Sequence, residues 1–394
     1  MDCIEKFREI YRADPEAAAF CPYRVCPLGA HVDHQLGRIT GFAIDKGIRI
    51  VYTPAADGTV ELTSLQYEKS VRFQVNSVPE SKVGDWADHL RGAAAALGRR
   101  FPLQTGLSGV IEGTLPIGGL SSSAAVILSF LSALCAVNHV SPTEAELIDT
   151  AREAENVYVG VSCGKLDQSC EVYCRKDSLL YMDTLDGSYE NIMINKTAKP
   201  FEIMILFSGL ERTLAGSKYN LRVDECKSAA YALQAYSGAD YGKFGEAYLR
   251  DVPQEVYLRY RDRLPESWRK RAEHYFTENE RVLRGAEAWT RGDIETFGKL
   301  VFESGASSID NYEAGSEEFR VLYRLMRECD GIYGGRFSGA GFRGSCMALV
   351  DPGQRDRIAE YITKKYIGEF PGLSDAFSVF FCQTADGVGN KAIR

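Results

Sequence analysis

The chain has 394 residues, of which 45% are hydrophobic and 25% are charged, and its formal net charge is −8 at pH 7. This length accommodates two domains with separate cores, and the composition is typical of a globular protein. The acidic balance, without a dense cluster of lysine and arginine, argues against nucleic acid as a partner. No basic segment followed by an apolar stretch opens the sequence, and no uninterrupted apolar run reaches about 18 residues, so we expect neither an export signal nor a membrane span.

Eleven cysteines are scattered along the sequence. Because their number is odd and several lie in apolar segments, we expect reduced thiols and a cytoplasmic location. Cys163, Cys170 and Cys174 are close in sequence, but they match no zinc-binding spacing and lack histidine partners. They are therefore interpreted as core thiols.

The first half of the chain mixes strand and helix patterns. In chain order these predict a helix at 4–12, strands at 23–25, 48–53, 60–65 and 71–75, a helix at 85–100, and strands at 107–112, 178–182 and 201–207. The turn dipeptide Asp57-Gly58 predicts that 48–53 and 60–65 form a hairpin. Ser141-Pro142-Thr143-Glu144 has capping-box spacing with Pro at the first helical position, which predicts a helix from there to about 157.

Beyond about residue 195, long helical patterns dominate. Helices are predicted at 214–236, 268–291, 294–305, 317–329 and 355–366, with strands at 346–350 and 376–381. The fold class is therefore α+β, and we expect an N-terminal domain at 1–195 and a C-terminal domain at 196–394. A cleft between two such halves is where ligands often bind.

A glycine- and serine-rich segment, residues 116–125, runs directly into an apolar helical pattern at 124–136. Glycines let backbone amides approach an anion closely. Serine hydroxyls and the first free N–H groups of the helix then point at that anion, and the helix dipole adds to the attraction. The segment predicts a site for nucleotide phosphates without a Walker-type lysine, although a serine N-cap on an ordinary buried helix would have the same sequence.

Two further motifs frame this segment. Residues 23–34 contain an arginine, two histidines and an aspartate around a Pro-Leu-Gly turn, and residues 337–345 form a glycine-rich turn before a strand. Taken singly, the first motif is also typical of a solvated loop and the second of a tight turn. The glycine-rich turn does not predict a dinucleotide site, because it precedes a strand instead of following one.

In this order, the three motifs resemble those of the GHMP kinase family of small-molecule kinases, and within it the galactokinase branch. The resemblance covers nearly the whole chain. Residues 155–168 match the stretch that carries the catalytic aspartate of that branch, 217–222 match the start of its substrate-side helix, and 311–316 match another of its segments. The resemblance implies an N-terminal α+β domain like the second domain of a ribosomal protein and a ferredoxin-like C-terminal domain.

The resemblance also implies a nucleotide site with ATP as co-substrate and Mg²⁺ as metal. It assigns the ATP phosphates to Gly118, Gly119, Leu120, Ser121, Ser122 and Ser123, with Gly339 and Gly341 closing over them. Ser123 and Glu155 are the implied partners of Mg²⁺, which prefers hard oxygen ligands.

Four residues are implied at the sugar. Asp167 would take or orient the proton of the anomeric hydroxyl, and Arg24 would keep that carboxylate ionised and steady charge on the transferring phosphoryl group. Asp33 would bind ring hydroxyls, and Tyr219 would contact the ring. The structural alternatives are a helix N-cap or a surface carboxylate for Asp167 and a packed aromatic at a helix start for Tyr219.

Departures from the galactokinase pattern point to the substrate. Galactokinases carry Gly-Glu-His-x-Asp-Tyr where this chain has Gly29-Ala30-His31-Val32-Asp33-His34. The glutamate of the family faces the hydroxymethyl at carbon 6 and would repel a carboxylate there, and Ala30 removes that repulsion. His31 and His34 supply donors for a carboxylate. Residues 26–31 and Arg343 are similar to those of galacturonokinases.

We therefore expect a 1-kinase for a small-molecule sugar acid, D-galacturonate first, acting as a monomer or homodimer. A galactokinase, or a kinase for glucuronate or an amino sugar, stays open, as does a sugar sensor without catalysis. A water that fills the space beside Ala30 is the alternative explanation of that substitution. The candidate cations for the carboxylate are His31, His34, Arg38 and Arg343. The phosphate loop is also one residue shorter than the family spacing.

Overall fold

The computed structural model of the protein describes residues 2–116, 119–161, 163–210, 216–239, 242–339, 341 and 344–393, with the backbone alone at 216–218. Its strands are β1 (Ala17–Val25), β2 (Arg38–Ala55), β3 (Thr59–Ser64), β4 (Val71–Gln74), β5 (Gly106–Gly113), β6 (Ser178–Asp183), β7 (Tyr189–Met193), β8 (Glu202–Phe207), β9 (Ile332–Phe337), β10 (Ser345–Val350), β11 (Ser378–Cys382), β12 (Thr384–Ala385) and β13 (Gly389–Ala392).

The described α-helices fall partly between these strands and partly in two runs, α3–α5 and α6–α10, that no strand interrupts. They are α1 (Cys3–Tyr11), α2 (Asp88–Gly98), α3 (Ser122–Val137), α4 (Glu144–Glu153), α5 (Leu166–Tyr173), α6 (Gly216–Ser237), α7 (Gln254–Tyr260), α8 (Glu266–Arg291), α9 (Ile294–Asp310), α10 (Glu317–Glu328) and α11 (Arg355–Glu369). In the part of the chain that the structure describes, none of them has the length and apolar character that a membrane crossing requires.

The first sheet has the strand order β13-β1-β2-β5-β3-β4, and its centre is the 18-residue strand β2. This strand is long enough to pair with β1 and β5 over much of its length, while its first residues pair with β6 and a short stretch pairs with β12. Helix α3, which is buried on nearly all sides, packs against β1 and β2.

The predicted hairpin between 48–53 and 60–65 is wrong. The Asp57-Gly58 turn forms, but β5 lies between the two strands, antiparallel to β2 and parallel to β3. Two glycines let β5 fit there, because a Cβ at Gly106 would lie 2.0 Å from the carbonyl oxygen of Thr59, and a Cβ at Gly109 would lie 2.4 Å from that of Val51. Such contacts exclude any side chain.

The predicted cap of α4 is displaced by two residues. Thr143, not Ser141, accepts from the N–H of Glu146, whose carboxylate reaches back to the Thr143 N–H. The α-helix ends at Glu153 and continues as a π-helical turn over 154–159. A π-turn changes which side chains face inward, and it brings Glu155 into the buried interior.

The second sheet is antiparallel, with order β11-β8-β10-β9, and helices α9, α10 and α11 pack on it. Helix α8 packs against α6 and α9 and also contacts β2, β6 and β7 of the first sheet. One continuous set of buried apolar side chains runs through both sheets. Strands β12 and β13 return to the first sheet, while the division at 195/196 stays a prediction.

All eleven cysteines are free thiols, and ten of them are buried. Cys170 and Cys174 lie in the core, whereas Cys163 is partly exposed. Over the described ranges, no group of three histidine, cysteine, aspartate or glutamate side chains could hold a metal ion. Cys170 and Cys174 are therefore core thiols, as the sequence predicted, whereas Cys163 is not fully buried.

Candidate active site

The glycine- and serine-rich loop leads from β5 into α3. Gly119 and Ser121 both have positive φ, 76° and 63°, and this turns the chain so that α3 begins at Ser122. The side chain of Ser121 makes no capping hydrogen bond, which leaves the first N–H groups of α3 available to an anion. Gly118, also predicted here, lies outside the described residues.

The carbonyl groups of this loop face Arg24, at the end of β1. Arg24 Nη1 donates to the Gly119 oxygen at 3.2 Å, and the Arg24 N–H donates to the Leu120 oxygen at 3.4 Å. The side chain of Leu120 is buried in the core, so only its backbone is available to a ligand. Arg24 thus fixes the side of the loop opposite its amides.

The third motif lies directly against this loop. Gly339 has φ +68°, and a Cβ there would lie 2.9 Å from Gly119 Cα, so the two glycine-rich backbones are in contact. Gly341 has φ +78° and passes close to the Phe337 ring, again leaving no room for a side chain. The structure therefore brings Gly339 to the phosphate loop and places Gly341 against Phe337, whereas Arg343 lies outside the described residues.

Asp167 and Arg24 form an ion pair. Asp167 is in the first turn of α5, and its Oδ1 accepts from Arg24 Nε at 2.9 Å and from Nη2 at 2.7 Å. The guanidinium is almost fully buried, whereas about a quarter of the carboxylate side chain, 28%, is exposed. One carboxylate oxygen is thus bound to Arg24, and the group keeps an accessible face.

Ser123 and Glu155 lie side by side at the start of α3. Ser123 Oγ donates to Glu155 Oε1 at 2.7 Å, and Gln168 Nε2 donates to Oε2 at 2.8 Å. The Cys163 thiol also approaches Oε2, at 3.4 Å. Glu155 is buried, and Gln168, which follows Asp167 in the sequence, holds its carboxylate in place. These hard oxygens next to the phosphate loop are the donor set that Mg²⁺ prefers.

The Asp33 side chain packs against the backbone of Gly164. A Cβ at Gly164 would lie 2.0 Å from Asp33 Oδ2. Burial and the negative charge of Asp167 raise the pKa of Asp33 to about 6, although backbone N–H groups act in the opposite direction. The structure therefore brings Asp33, Asp167 and Arg24 into one cluster. Near neutral pH the ionised Asp33 carboxylate lowers the stability of the folded protein.

Replacing Asp33 with asparagine is expected to stabilise the sugar-free protein at pH 8. A carboxyl whose pKa rises from 3.8 to about 6 on folding destabilises the folded state above pH 6, by at most about 3 kcal/mol, and this penalty is lost as the pH falls toward 3.8. Thermal unfolding should therefore give a higher Tm for Asp33→Asn than for wild type at pH 8 and a smaller difference at pH 5. A variant that melts below wild type at pH 8 contradicts this, and Asp186→Asn on an exposed turn is the control.

His31 and His34 lie around Tyr312. The His31 ring stacks on Tyr312 at 4.2 Å between centroids, and His34 Nε2 is 3.2 Å from the Tyr312 hydroxyl. Burial lowers the pKa of His34 to about 4 and, with the charge of Arg336, that of His31 well below its usual value. Both rings are therefore neutral at pH 7 and can donate hydrogen bonds but supply no positive charge.

Tyr219 completes this aromatic group, 6.3 Å from His31 and 6.1 Å from His34 between ring centroids. Sequence reasoning assigned no role to Tyr312, although 311–316 was one of the matched segments. Tyr312 is fully buried and contacts both predicted histidines, His31 and His34. Only its place in that segment could have indicated it, since an isolated tyrosine carries no motif.

A cavity of about 530 Å³ opens beside these residues. Its lining includes Asp33, His34, Leu36, Arg152, Cys163, Gly164, Lys165, Thr184, Tyr219, Asn220, Val223, Asp224, Lys227 and Tyr248. Three of these side chains are cationic and two are acidic, so positive groups outnumber negative ones. Arg38, a candidate for the substrate carboxylate, pairs instead with Asp183 at 3.2 Å.

Comparisons with known proteins agree with this geometry. The N-terminal domain of GHMP kinases matches residues 88–175, and the C-terminal domain matches 286–368. A galacturonokinase of Arabidopsis thaliana is 39% identical over 391 residues, covering 93% of this chain and 92% of the relative. A galactokinase of Thermotoga maritima is 31% identical, covering 93% and 98%.

The crystal structure of Lactococcus lactis galactokinase complexed with galactose has a TM-score of 0.88 to this chain at 26% identity, covering 98% of both. The mixed α and β architecture, the two family domains and these relatives all agree with the fold class predicted from the sequence. The chain therefore belongs to the GHMP kinase family and is an ATP-dependent sugar kinase of the galactokinase and galacturonokinase group.

Proposed function

We propose that this protein phosphorylates the anomeric hydroxyl of a hexuronic acid, D-galacturonate first, with ATP and Mg²⁺. The observation that carries the proposal is Ala30, which stands where the galactokinase pattern has glutamate. Ala30 is followed by His31 and Asp33, and Asp33 lies in the cluster with Asp167. A carboxylate at carbon 6 of the sugar would meet a methyl group there instead of a second negative charge.

The surroundings support an acidic substrate. The cavity beside Asp33 is lined by Arg152, Lys165 and Lys227, and Lys227 Nζ donates to the Gly245 carbonyl at 3.0 Å. Because His31 and His34 are neutral at pH 7, positive charge for the uronate has to come from such residues, while the imidazoles contribute hydrogen bonds. The 39% identity to a galacturonokinase agrees with this assignment.

Arg24 and Asp167 are the proposed catalytic groups, and they act as a pair. In the proposed reaction the free face of the Asp167 carboxylate accepts or orients the proton of the anomeric hydroxyl, and that oxygen then bonds to the terminal phosphorus of ATP as ADP leaves. Arg24 donates two hydrogen bonds to Oδ1 and thereby fixes the orientation of the Asp167 carboxylate. The third nitrogen of the Arg24 guanidinium, Nη1, donates to the Gly119 carbonyl and so connects the pair to the phosphate loop.

Mg²⁺ fits the Ser123–Glu155 pair, whose oxygens lie 2.7 Å apart beside the phosphate loop. Mg²⁺ keeps several waters and is usually bound by one or two protein oxygens together with substrate phosphates, so two protein ligands suffice. When bound, the ion would neutralise charge on the phosphates. Gln168 and Ser123 orient the carboxylate for this role.

The variant Glu155→Gln is expected to raise the Mg²⁺ concentration needed for half-maximal activity by about tenfold or more, because a neutral amide oxygen is a weaker ligand for a hard cation. The measurement is ADP release against Mg²⁺ at fixed ATP. Glu153→Gln is a matched control, since Glu153 lies two residues away and pairs with Arg99 and Arg100 at the surface. An unchanged Mg²⁺ requirement in Glu155→Gln contradicts the assignment.

The proposal as a whole is tested by ADP release with D-galacturonate, D-glucuronate and D-galactose at equal concentrations, with the product identified as the 1-phosphate by ³¹P NMR. We expect the largest kcat/KM for D-galacturonate. A clear preference for D-galactose would make the protein a galactokinase, which its 31% identity to galactokinases and its retained Asp33 and Tyr219 also allow. A non-catalytic sensor is disfavoured because Arg24, Ser123, Glu155 and Asp167 are all present and paired.

A further inference from the structure

Two side chains of α8 reach the loop between β1 and β2 that carries Ala30. His274 Nε2 lies 3.0 Å from the carbonyl oxygen of Ala30, and the N–H of Gly29 donates to Glu278 Oε1 at 2.8 Å. His274 and Glu278 are four residues apart and therefore lie on one face of the helix. They are 1% and 0% exposed, so these hydrogen bonds are shielded from water.

The proton position on His274 follows from its partners. The Ala30 carbonyl can only accept, so Nε2 carries the proton and Nδ1 accepts from Ser307 Oγ at 2.9 Å. Ser307 Oγ in turn accepts from Asn311 Nδ2 at 3.2 Å. Burial lowers the pKa of His274 to about 4, so at neutral pH the ring is uncharged and held in one tautomer.

Glu278 is held just as firmly. Burial alone would raise its pKa, but Arg281, His274 and Arg336 lower it to about 2, so the carboxylate is ionised at neutral pH. Arg281 Nε donates to Oε2 at 2.8 Å, and Ser304 Oγ donates to Oε1 at 2.5 Å. A buried carboxylate with these partners has one arrangement available, and Oε1 is also the acceptor for Gly29.

The loop needs external support. Gly29 and His31 both have positive φ, +91° and 63°, and a Cβ at Gly29 would lie 2.6 Å from the carbonyl oxygen of Arg38. Residues 29–31 lie outside the strand ladders, so at Gly29 and Ala30 the donor and acceptor provided by α8 replace a pairing strand. A left-handed histidine persists only where its surroundings hold it.

We infer that His274 and Glu278 are positioning residues for sugar recognition, because they hold the Leu28–Gly29 and Ala30–His31 peptide groups and thereby place His31 and Asp33 relative to Asp167. This inference rests on the proposed assignment of the Ala30–Asp33 segment to the sugar. It makes helix α8, far from Ala30 in sequence, a determinant of sugar binding without contact between α8 and the sugar.

The test compares two amides at one position. His274→Gln places an amide N–H at the depth of Nε2, whereas His274→Asn ends at the depth of Nδ1 and cannot reach Ala30. We expect His274→Asn to raise the sugar KM about tenfold with the ATP KM unchanged, and His274→Gln to leave both KM values near those of wild type. Exposed His139 at the far end of α3 provides the control His139→Asn.

Each assay uses whichever of D-galacturonate and D-galactose wild type phosphorylates better, so a wrong substrate assignment does not affect this test. A folded His274→Asn protein with an unchanged sugar KM, or with sugar and ATP KM raised equally, overturns the inference. Should His274→Asn not fold, Ser307→Ala removes the hydroxyl that fixes the tautomer. It should raise the sugar KM about threefold with the ATP KM unchanged, and an unchanged sugar KM there overturns the inference as well.

Discussion

The variant Asp167→Asn is expected to lower kcat by about 10²- to 10⁴-fold, because an amide cannot accept the proton of the anomeric hydroxyl. Asparagine keeps the size of the side chain and an oxygen that can accept from Arg24, so binding of sugar and ATP should change little. The measurement is steady-state ADP release together with sugar binding by calorimetry. Loss of kcat with retained binding is the pattern expected when an interaction acts only in the transition state.

The control for this variant is Asp186→Asn, which removes a carboxylate from an exposed turn. It should leave kcat unchanged. If Asp167→Asn turned over within a few-fold of wild type, Asp167 would be a binding group and not the base. If it failed to bind sugar at all, its main role would be structural support of Arg24.

The variant Ala30→Glu is expected to lower kcat/KM for D-galacturonate about a thousandfold. Two carboxylates about 4 Å apart repel by about 4 kcal/mol at an effective dielectric constant near 20, and 1.4 kcal/mol corresponds to a factor of ten. Activity with D-galactose should fall far less, since its hydroxymethyl can donate to the new carboxylate. The measurement is kcat/KM for both sugars.

Ala30→Gln separates charge from size. Ala30 is only 8% exposed, so a longer side chain at this position also tests the available space. Glutamine has the size of glutamate without its charge, and the charge effect is therefore the difference between the two variants with D-galacturonate. Equal losses in both variants with both sugars would mean that Ala30 acts through space alone and that the uronate proposal loses its main support.

Features of the fold and the site that a short motif or a regular periodicity encodes were predictable from the sequence. Residues 119–123 lie in a motif whose residue types indicate the turn and the helix start. Arg24 pairs with Asp167, while the roles that the family resemblance implies for the two stay predictions. Secondary structure was predicted well where periodicity was strong, as in α8 and α10, whose observed bounds nearly match the predicted ones.

Contacts between distant parts of the chain were not predictable. The hairpin failed because β5, more than 40 residues later, displaces β3 from β2, and no local pattern encodes that insertion. His274 lies 244 residues from Ala30 and is an ordinary position on a helix in the sequence. Tyr312 lies in the matched segment 311–316, but its contacts with His31 and His34 could not be read from the sequence. Such residues act through the tertiary fold, which single-residue patterns do not report.

The return of β12 and β13 has a consequence for any attempt to separate the halves. β13 forms the edge next to β1, the strand that carries Arg24, and β12 pairs with Ile44 and Ala43 of the central strand. A fragment ending near residue 195 would therefore leave the backbone of β1 unpaired along that edge, which invites association with other chains. The first half of the chain therefore depends on β12 and β13 to cover this edge of its sheet.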